Sequence, residues 1–394
     1  MAGIASTHRS AATLVLATIL AATVAHAGEK PTEYSLELSD PVAPTLPPRA
    51  YRVVQSCDEQ GFPAGYALTF TTHVCVDEQC REVTVTMHWD ALGYYQRLEY
   101  PADAPLTKKK HVPFSPEDYS RLDQILRDRD SILGSQPLEV FGPIVSPGLP
   151  QVAAGVAGGG EVTGGDVVDG WSGATPQAVK DAVVEDAAYT SWTMWRWANG
   201  EIVRKLQSLT EQRCTPEYLH KLLQSDDRRA VDFSLRYLLR HGPSDGQFAA
   251  DVFHVLETGD REHVALALQL LHRAVADKRR LYQGLIESYG RMNSTYSPLI
   301  LDYLSAQPDL PAETLEGLSG VLHQLPYFQM HLALRLLDAR AFFSPRVEAD
   351  VAGLLDSPDF FIARRASEYL LKQPLGTDTK RKLDTFRQKY RDRL

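Results

Sequence analysis

Cysteine is scarce, with 4 in 394 residues. That is too few to staple a disulfide-dense small fold. None opens a C-x-x-C-H run, which excludes covalent c-type haem. Basic residues are also in deficit: 41 Lys and Arg against 50 Asp and Glu give a net charge of -9. Such a chain has no global electrostatic reason to bind nucleic acid. Beyond the N-terminus there is no long apolar run, which excludes a polytopic membrane protein. G-x-S-x-G, H-E-x-x-H, a P-loop and paired metal-ligand spacings are all missing, so the usual sequence basis for a hydrolase is missing too.

What remains is ordinary globular material: 44% hydrophobic, 23% charged, 24 Pro and 26 Gly. At about 150 residues per domain the length allows two or three domains. The first 27 residues read as an address. Arg9 is the basic n-region, Ala11 to Val24 is an apolar h-region too short to span a membrane comfortably, and Ala25-His26-Ala27 has the small-x-small form of a cleavage site. The alternative is an uncleaved anchor. Cleavage near Ala27 places the chain in the periplasm or outside the cell. The first cysteine is Cys57, so no lipoprotein cysteine sits at the cleavage point.

Residues 28–50 are Pro-rich and read as an irregular linker or strap. Tyr51–Ser56, Tyr66–Val74, Arg81–Trp89 and a weaker run at Tyr94–Glu99 read as strands. If Asp77-Glu78 is a two-residue turn, Thr72 pairs with Val83, Phe70 with Val85, Leu68 with Met87 and Tyr66 with Trp89, which builds one mostly apolar face. The same register sets Cys75 opposite Cys80, a reasonable disulfide in an oxidising compartment. Cys57 and Cys214 are left to pair with each other or to stay free. Lys108, Lys109, Lys110 and His111 lie in a polar loop. Ser115-Pro116-Glu117-Asp118 then starts a helix, with Ser as N-cap, Pro at the first position and acids in the first turn. Its apolar stripe is Tyr119, Leu122, Ile125 and Leu126.

A Pro- and Gly-rich stretch from Gly142 to Gly165 leads into Asp169-Gly170-Trp171-Ser172-Gly173-Ala174-Thr175, followed by Pro176. In physical terms this is a Gly-rich turn with Thr175 as N-cap of a helix beginning at Pro176. An N-cap hydroxyl faces free backbone N–H groups, so a phosphate carried there would meet a positive helix end. The following helix contains Tyr189, Trp192, Trp195 and Trp197, a core anchor or a ring-stacking surface.

The same seven residues resemble the D-x-x-[ST]-G-A-[TS] flavinylation motif. It belongs to covalent FMN-binding domains similar to the C subunit of the sodium-pumping NADH:quinone reductase and to the nitrous-oxide regulatory flavoproteins. The resemblance implies that Thr175 is joined to FMN by a phosphodiester and that Asp169, Ser172, Gly173 and Ala174 form the recognised loop. An extracytoplasmic FMN transferase would make the bond from FAD. The sequence departs from the family after the motif, where Pro176-Gln177-Ala178 stands in place of a further Ser or Thr.

From about residue 215 two apolar series share a period of 33. Leu238, Leu271, Leu304, Leu337 and Leu370 form one, and Leu223, Leu256, Tyr289, Leu322 and Leu355 form the other. This double register predicts two-helix units stacked as a solenoid, and it resembles HEAT-like repeats. The last helix, from Thr377, is strongly basic and suits a polar cap.

The expected organisation is therefore a leader (1–27), a linker (28–50), an α+β FMN-binding-like domain (51–204) and an all-α HEAT-like solenoid (205–394). The expected function is an exported flavoprotein whose helical repeats dock a redox protein partner. The alternative is a non-catalytic extracytoplasmic scaffold without flavin. N-terminal sequencing of the exported chain is expected to begin at Gly28. Full-length protein recovered in the membrane fraction would instead identify an anchor.

Overall fold

A computed structural model describes residues 31–73, 82–137, 180–242, 246–292 and 295–394. Five strands come first: β1 (Thr32–Leu38), β2 (Arg49–Cys57), β3 (Pro63–His73), β4 (Glu82–Asp90) and β5 (Tyr95–Glu99). They pair antiparallel in chain order, a simple meander. The β3–β4 register is the expected one: Tyr66 opposes Trp89, Leu68 opposes Met87, Phe70 opposes Val85 and Thr72 opposes Val83. Period-two alternation fixes it, because a one-residue slip would turn this whole apolar set into water. The opposite face is polar. There the hydroxyls of Thr69 and Thr86 are 2.8 Å apart, and those of Thr71 and Thr84 are 2.9 Å apart. Cys75 and Cys80 lie outside the described residues, and with them the expected disulfide.

Residues 28–50 are not all irregular, since β1 occupies part of them. Tyr34, Leu36 and Leu38 alternate inward, and the prolines that dominate the composition flank the strand instead of interrupting it.

Three helices cover the inner face of the sheet. The first, α1 (Pro116–Arg127), starts with a full capping box between Ser115 and Asp118 and buries Leu122, Ile125 and Leu126. Next come α2 (Ala188–Asn199) and α3 (Glu201–Gln212). Lys180 and Asp181 are helical, but residues 182–187 turn, with Asp186 at φ 57°, so the Trp-rich α2 begins afresh at Ala188. Trp197 stacks on Phe70 at 4.4 Å and meets the edge of Tyr51 at 5.3 Å. The Trp89 indole N–H donates to Ala198 O at 2.7 Å.

A chain of buried hydrogen bonds fastens α3 to the sheet. Tyr34 Oη donates to Gln55 Oε1 (3.3 Å), and Gln55 Nε2 donates to Tyr66 Oη (2.8 Å). Thr210 Oγ1 donates to Ala91 O (2.5 Å), so the Tyr66 hydroxyl is the donor in its 2.7 Å bond to Thr210. Gln55 and Thr210 are fully buried. Burial pushes the Tyr66 phenol up to about 12, which keeps its proton available for this bond.

The remaining helices are α4 (Pro216–Leu223), α5 (Arg228–His241), α6 (Ala249–Thr258), α7 (Arg261–Ala274), α8 (Lys278–Arg291), α9 (Pro298–Ser305), α10 (Ala312–Val321), α11 (Tyr327–Ala339), α12 (Pro345–Gly353), α13 (Phe360–Leu370) and α14 (Thr377–Lys389). Within each consecutive pair from α4–α5 to α12–α13 the two helices touch. Across pairs α4, α6, α8, α10, α12 and α14 pack in sequence, as do α5, α7, α9, α11 and α13. Both leucine-rich series are buried, one near the end of each second helix and the other at the close of each first helix. The architecture is therefore an α+β portion followed by an all-helical portion. The division expected at 204/205 falls inside α3, whose Leu206 and Leu209 join the core beneath the sheet.

Thr210→Val is expected to cost about 2–3 kcal/mol, because it leaves the Tyr66 hydroxyl and Ala91 O buried without their partner. Tyr34→Phe, at the half-buried head of the chain, should cost under about 1 kcal/mol. Urea unfolding of both variants measures the difference, and equal losses would disprove the directed network.

Candidate functional site

Asp169, Ser172, Gly173, Ala174 and Thr175 all lie outside the described residues. The structure does show how the two ends of the connection carrying them are held. At the entry, Gln136 O accepts from the Trp192 indole N–H at 2.9 Å and from Arg196 Nη2 at 3.2 Å. At the exit, Arg121 donates to Asp181 O, Lys109 N donates to Asp186 O at 2.7 Å, and Val184 N donates to Ser191 Oγ at 3.0 Å. The entry thus rests on α2, and the exit on α1, α2 and the segment at Lys109.

Arg196 stands out at the entry. Its guanidinium lies 4.9 Å over the Trp192 ring, and burial lowers its pKa. It has no carboxylate partner among the described residues, and its Nε has no hydrogen-bond partner there. An uncompensated, partly buried cation next to an indole is suited to an anion or an electron-rich ring. The tryptophans themselves serve the core. Trp192 and Trp195 are 6% and 5% exposed, and the Trp195 N–H is satisfied by Asp128 O at 2.7 Å. A flavin ring therefore has no open tryptophan face to stack on at α2.

A second set of contacts joins the sheet to the helical rows. The β4–β5 turn is tight: Asp90 Oδ1 accepts the N–H groups of Leu92 and Tyr94, each at 2.9 Å, and Gly93 sits at φ 77°. A side chain on Gly93 would also meet Val203 O at 3.1 Å, so both conformation and space select glycine. The turn presents Leu92 to a small core of Tyr218, Leu222, Ala230 and Phe233 from α4 and α5. The guanidinium groups of Arg129 (4.2 Å) and Arg229 (4.4 Å) both lie over the Tyr94 ring. Lys221 of α4 reaches back to Asp58 at 2.6 Å. Burial opposes ionisation of Asp58, but Lys221 and the N–H groups of Phe62 and Gln60 outweigh it and hold the carboxyl below its usual range.

Polar bonds cross between neighbouring first helices. Asp251 accepts from His220 Nδ1 (2.5 Å) and Gln224 Nε2 (2.7 Å), Glu257 accepts from Ser288 (2.8 Å), and Asp350 accepts from Ser319 (2.6 Å). Sequence reading missed these, although His220–Asp251, Glu257–Ser288 and Ser319–Asp350 all share a separation of 31 residues. A groove of about 470 Å³ opens over the α4–α5 and α6–α7 turns, lined in part by Asp226, Arg228, His254, Asp260 and His263. Among the described residues no three His, Cys, Asp or Glu side chains are grouped to hold a metal ion.

Comparison with protein-family models, with curated proteins and with solved structures finds no match.

Cys214, at the α3–α4 junction, is a free thiol and so is not bridged to Cys57. Burial, with a further push from Glu211, raises its pKa to about 12. Native Cys214 is therefore expected to alkylate at pH 8 on the order of a hundredfold more slowly than an exposed thiol, and to react normally once unfolded. Peptide mapping after iodoacetamide treatment checks this. Rapid native labelling would show that the junction opens.

Proposed function

We propose that this chain is an exported flavoprotein that carries FMN covalently on Thr175 and exchanges electrons with a protein docked on its helical repeats. The observation that carries this reading is the run from Asp169 to Thr175, in which every strong position of the flavinylation motif is filled. It lies in the connection between Gln136 and Lys180, whose two ends are fastened to the folded core. A motif placed between two fastened ends is separate from the strands, so modifying it does not require the sheet to unfold. Arg196 and Arg121, at its two ends, provide positive charge suited to the phosphodiester. Bound FMN would supply one- and two-electron transfer. This chain's part is to offer the Thr175 hydroxyl, to orient the loop through Asp169, Ser172, Gly173 and Ala174, and to present a partner surface.

We read the two helical rows as a HEAT-like solenoid. The support is the 33-residue double register together with the alternating contacts of first and second helices. Such an array buries its core only by stacking, and it leaves an extended surface whose ordinary use is to bind another macromolecule. Taken alone, the rows favour the second reading, a scaffold without flavin.

The two readings part on one measurement. Co-produced with an FMN transferase, the wild-type chain should gain the mass of FMN and fluoresce after denaturation. Thr175→Ala should gain none, while losing about 1 kcal/mol or less of stability, the cost expected if Thr175 is the N-cap its sequence suggests. Asp169→Ala should load less FMN at unchanged stability. A wild type that gains no mass, or a mutant that gains as much, removes the flavin and leaves the scaffold.

A further inference from the structure

The aromatic residues of the helical rows are distributed unevenly. The second helices α11 and α13 open with the pairs Tyr327-Phe328 and Phe360-Phe361, which are 33 residues apart. The equivalent pairs in the three earlier units are Arg228-Arg229, Arg261-Glu262 and Ser294-Thr295. Only the last two units thus carry rings at this edge. Those rings are largely in solvent: Tyr327 is 41% exposed, Phe328 54% and Phe361 62%. Tyr327, Phe361 and Phe360 form one continuous set, and Phe328 follows Tyr327 in the chain. Tyr327 meets Phe361 edge-on at 6.4 Å, and Phe361 meets Phe360 at 5.9 Å.

Cations border the same patch. The Arg393 guanidinium lies 3.9 Å over Phe360, and Lys389 lies 5.0 Å over the neighbouring Tyr390, itself 5.2 Å from Phe360. From Thr377 to Leu394 seven basic side chains face three acidic ones, in a chain whose net charge is -9. Positive charge and exposed rings are therefore concentrated together at one end of an acidic molecule.

We propose that this edge is a peripheral docking site for an anionic lipid surface. The choice of occupant follows from shape and charge. Tyr327, Phe328 and Phe361 stand in the first turns of their helices and are largely in solvent, so a protein partner would have to bring its own pockets for them. A headgroup layer accepts projecting rings directly, since aromatic side chains settle at the membrane–water boundary while Lys and Arg meet lipid phosphates. The two ring pairs stand at equivalent places in adjacent units and meet through Tyr327 and Phe361. No described helix is long and apolar enough to cross a membrane, so the contact is superficial. This inference is independent of the flavin reading.

The test is co-sedimentation of the exported chain with vesicles of phosphatidylcholine alone and of phosphatidylcholine with about one-third phosphatidylglycerol. Binding is expected to the anionic vesicles and to weaken steeply with salt. Phe328→Ser with Phe361→Ser should weaken it at least about tenfold at an unchanged melting temperature, because both rings are exposed. Lys389→Gln with Arg393→Gln should weaken it roughly tenfold on anionic vesicles. Equal affinity for neutral vesicles would overturn the proposal, as would binding that the ring variants do not change. Failure to bind either vesicle would overturn it in favour of an acidic protein partner.

Discussion

The molecule is held together at the β4–β5 turn. Here the sheet and the helical rows share one set of buried groups. Asp90 ties the turn through the N–H groups of Leu92 and Tyr94, Ala91 O receives the Thr210 hydroxyl, and Leu92 enters the core of the first helical pair. These contacts use both kinds of stabilisation. The apolar part is insensitive to direction, whereas the hydrogen-bond chain from Tyr34 to Ala91 fixes orientation, because each member has a defined donor or acceptor role. Tyr218 adds the same combination on the helical side, stacking on Phe62 at 5.0 Å while donating to Pro63 O at 3.2 Å.

From this junction the helical rows extend by repeating one solution. Each pair buries its leucine registers against the next, and carboxylates bridge consecutive first helices. Arginines near the ends of second helices serve the preceding unit. Arg273 donates to Leu239 O at 2.6 Å, and Arg340 donates to Leu304 O and Ser305 O at 3.2 and 2.7 Å. A cation at the carbonyl end of a helix satisfies orphan acceptors and opposes the negative dipole end. The polar groups of one unit thus complete the hydrogen bonding of its neighbour, as burial does for the apolar groups.

Sequence patterns exposed what is periodic and hid what is not. The β3–β4 register was readable because Tyr66, Leu68, Phe70 and Thr72 alternate with Ala67, Thr69 and Thr71, and only one register keeps the apolar face dry. The helical pairs were readable because the turns at 224–227, 259–260 and 357–359 recur between two apolar series. By contrast, β1 was obscured by surrounding prolines, and the break before α2 by Asp186, whose left-handed backbone no composition signals. Leu92 looks like any turn leucine. Its role is set by Tyr218 and Phe233, more than a hundred residues away in the chain. Of the candidate site, the sequence displays the Asp169–Thr175 motif but not Arg196, since a lone arginine in a Trp-rich helix carries no pattern. Only the fold reveals that it has no carboxylate partner among the described residues.

The placement of these features connects them mechanically. Thr175 belongs to a connection whose ends are bound to α1 and α2, and α3 carries that packing into the junction through Leu206, Leu209 and Thr210. The junction passes it to α4 and α5, and the rows then run, pair by pair, to the aromatic and basic edge at α11, α13 and α14. Every step is side-chain packing or a hydrogen bond, with no long tether between the sheet and the helices. The far edge is therefore held at a set distance from α1 and α2, to which the ends of the connection are fastened. Rigid spacing of this kind matters to a carrier whose reactive group must meet a partner in one geometry, and equally to a scaffold that holds two partners apart.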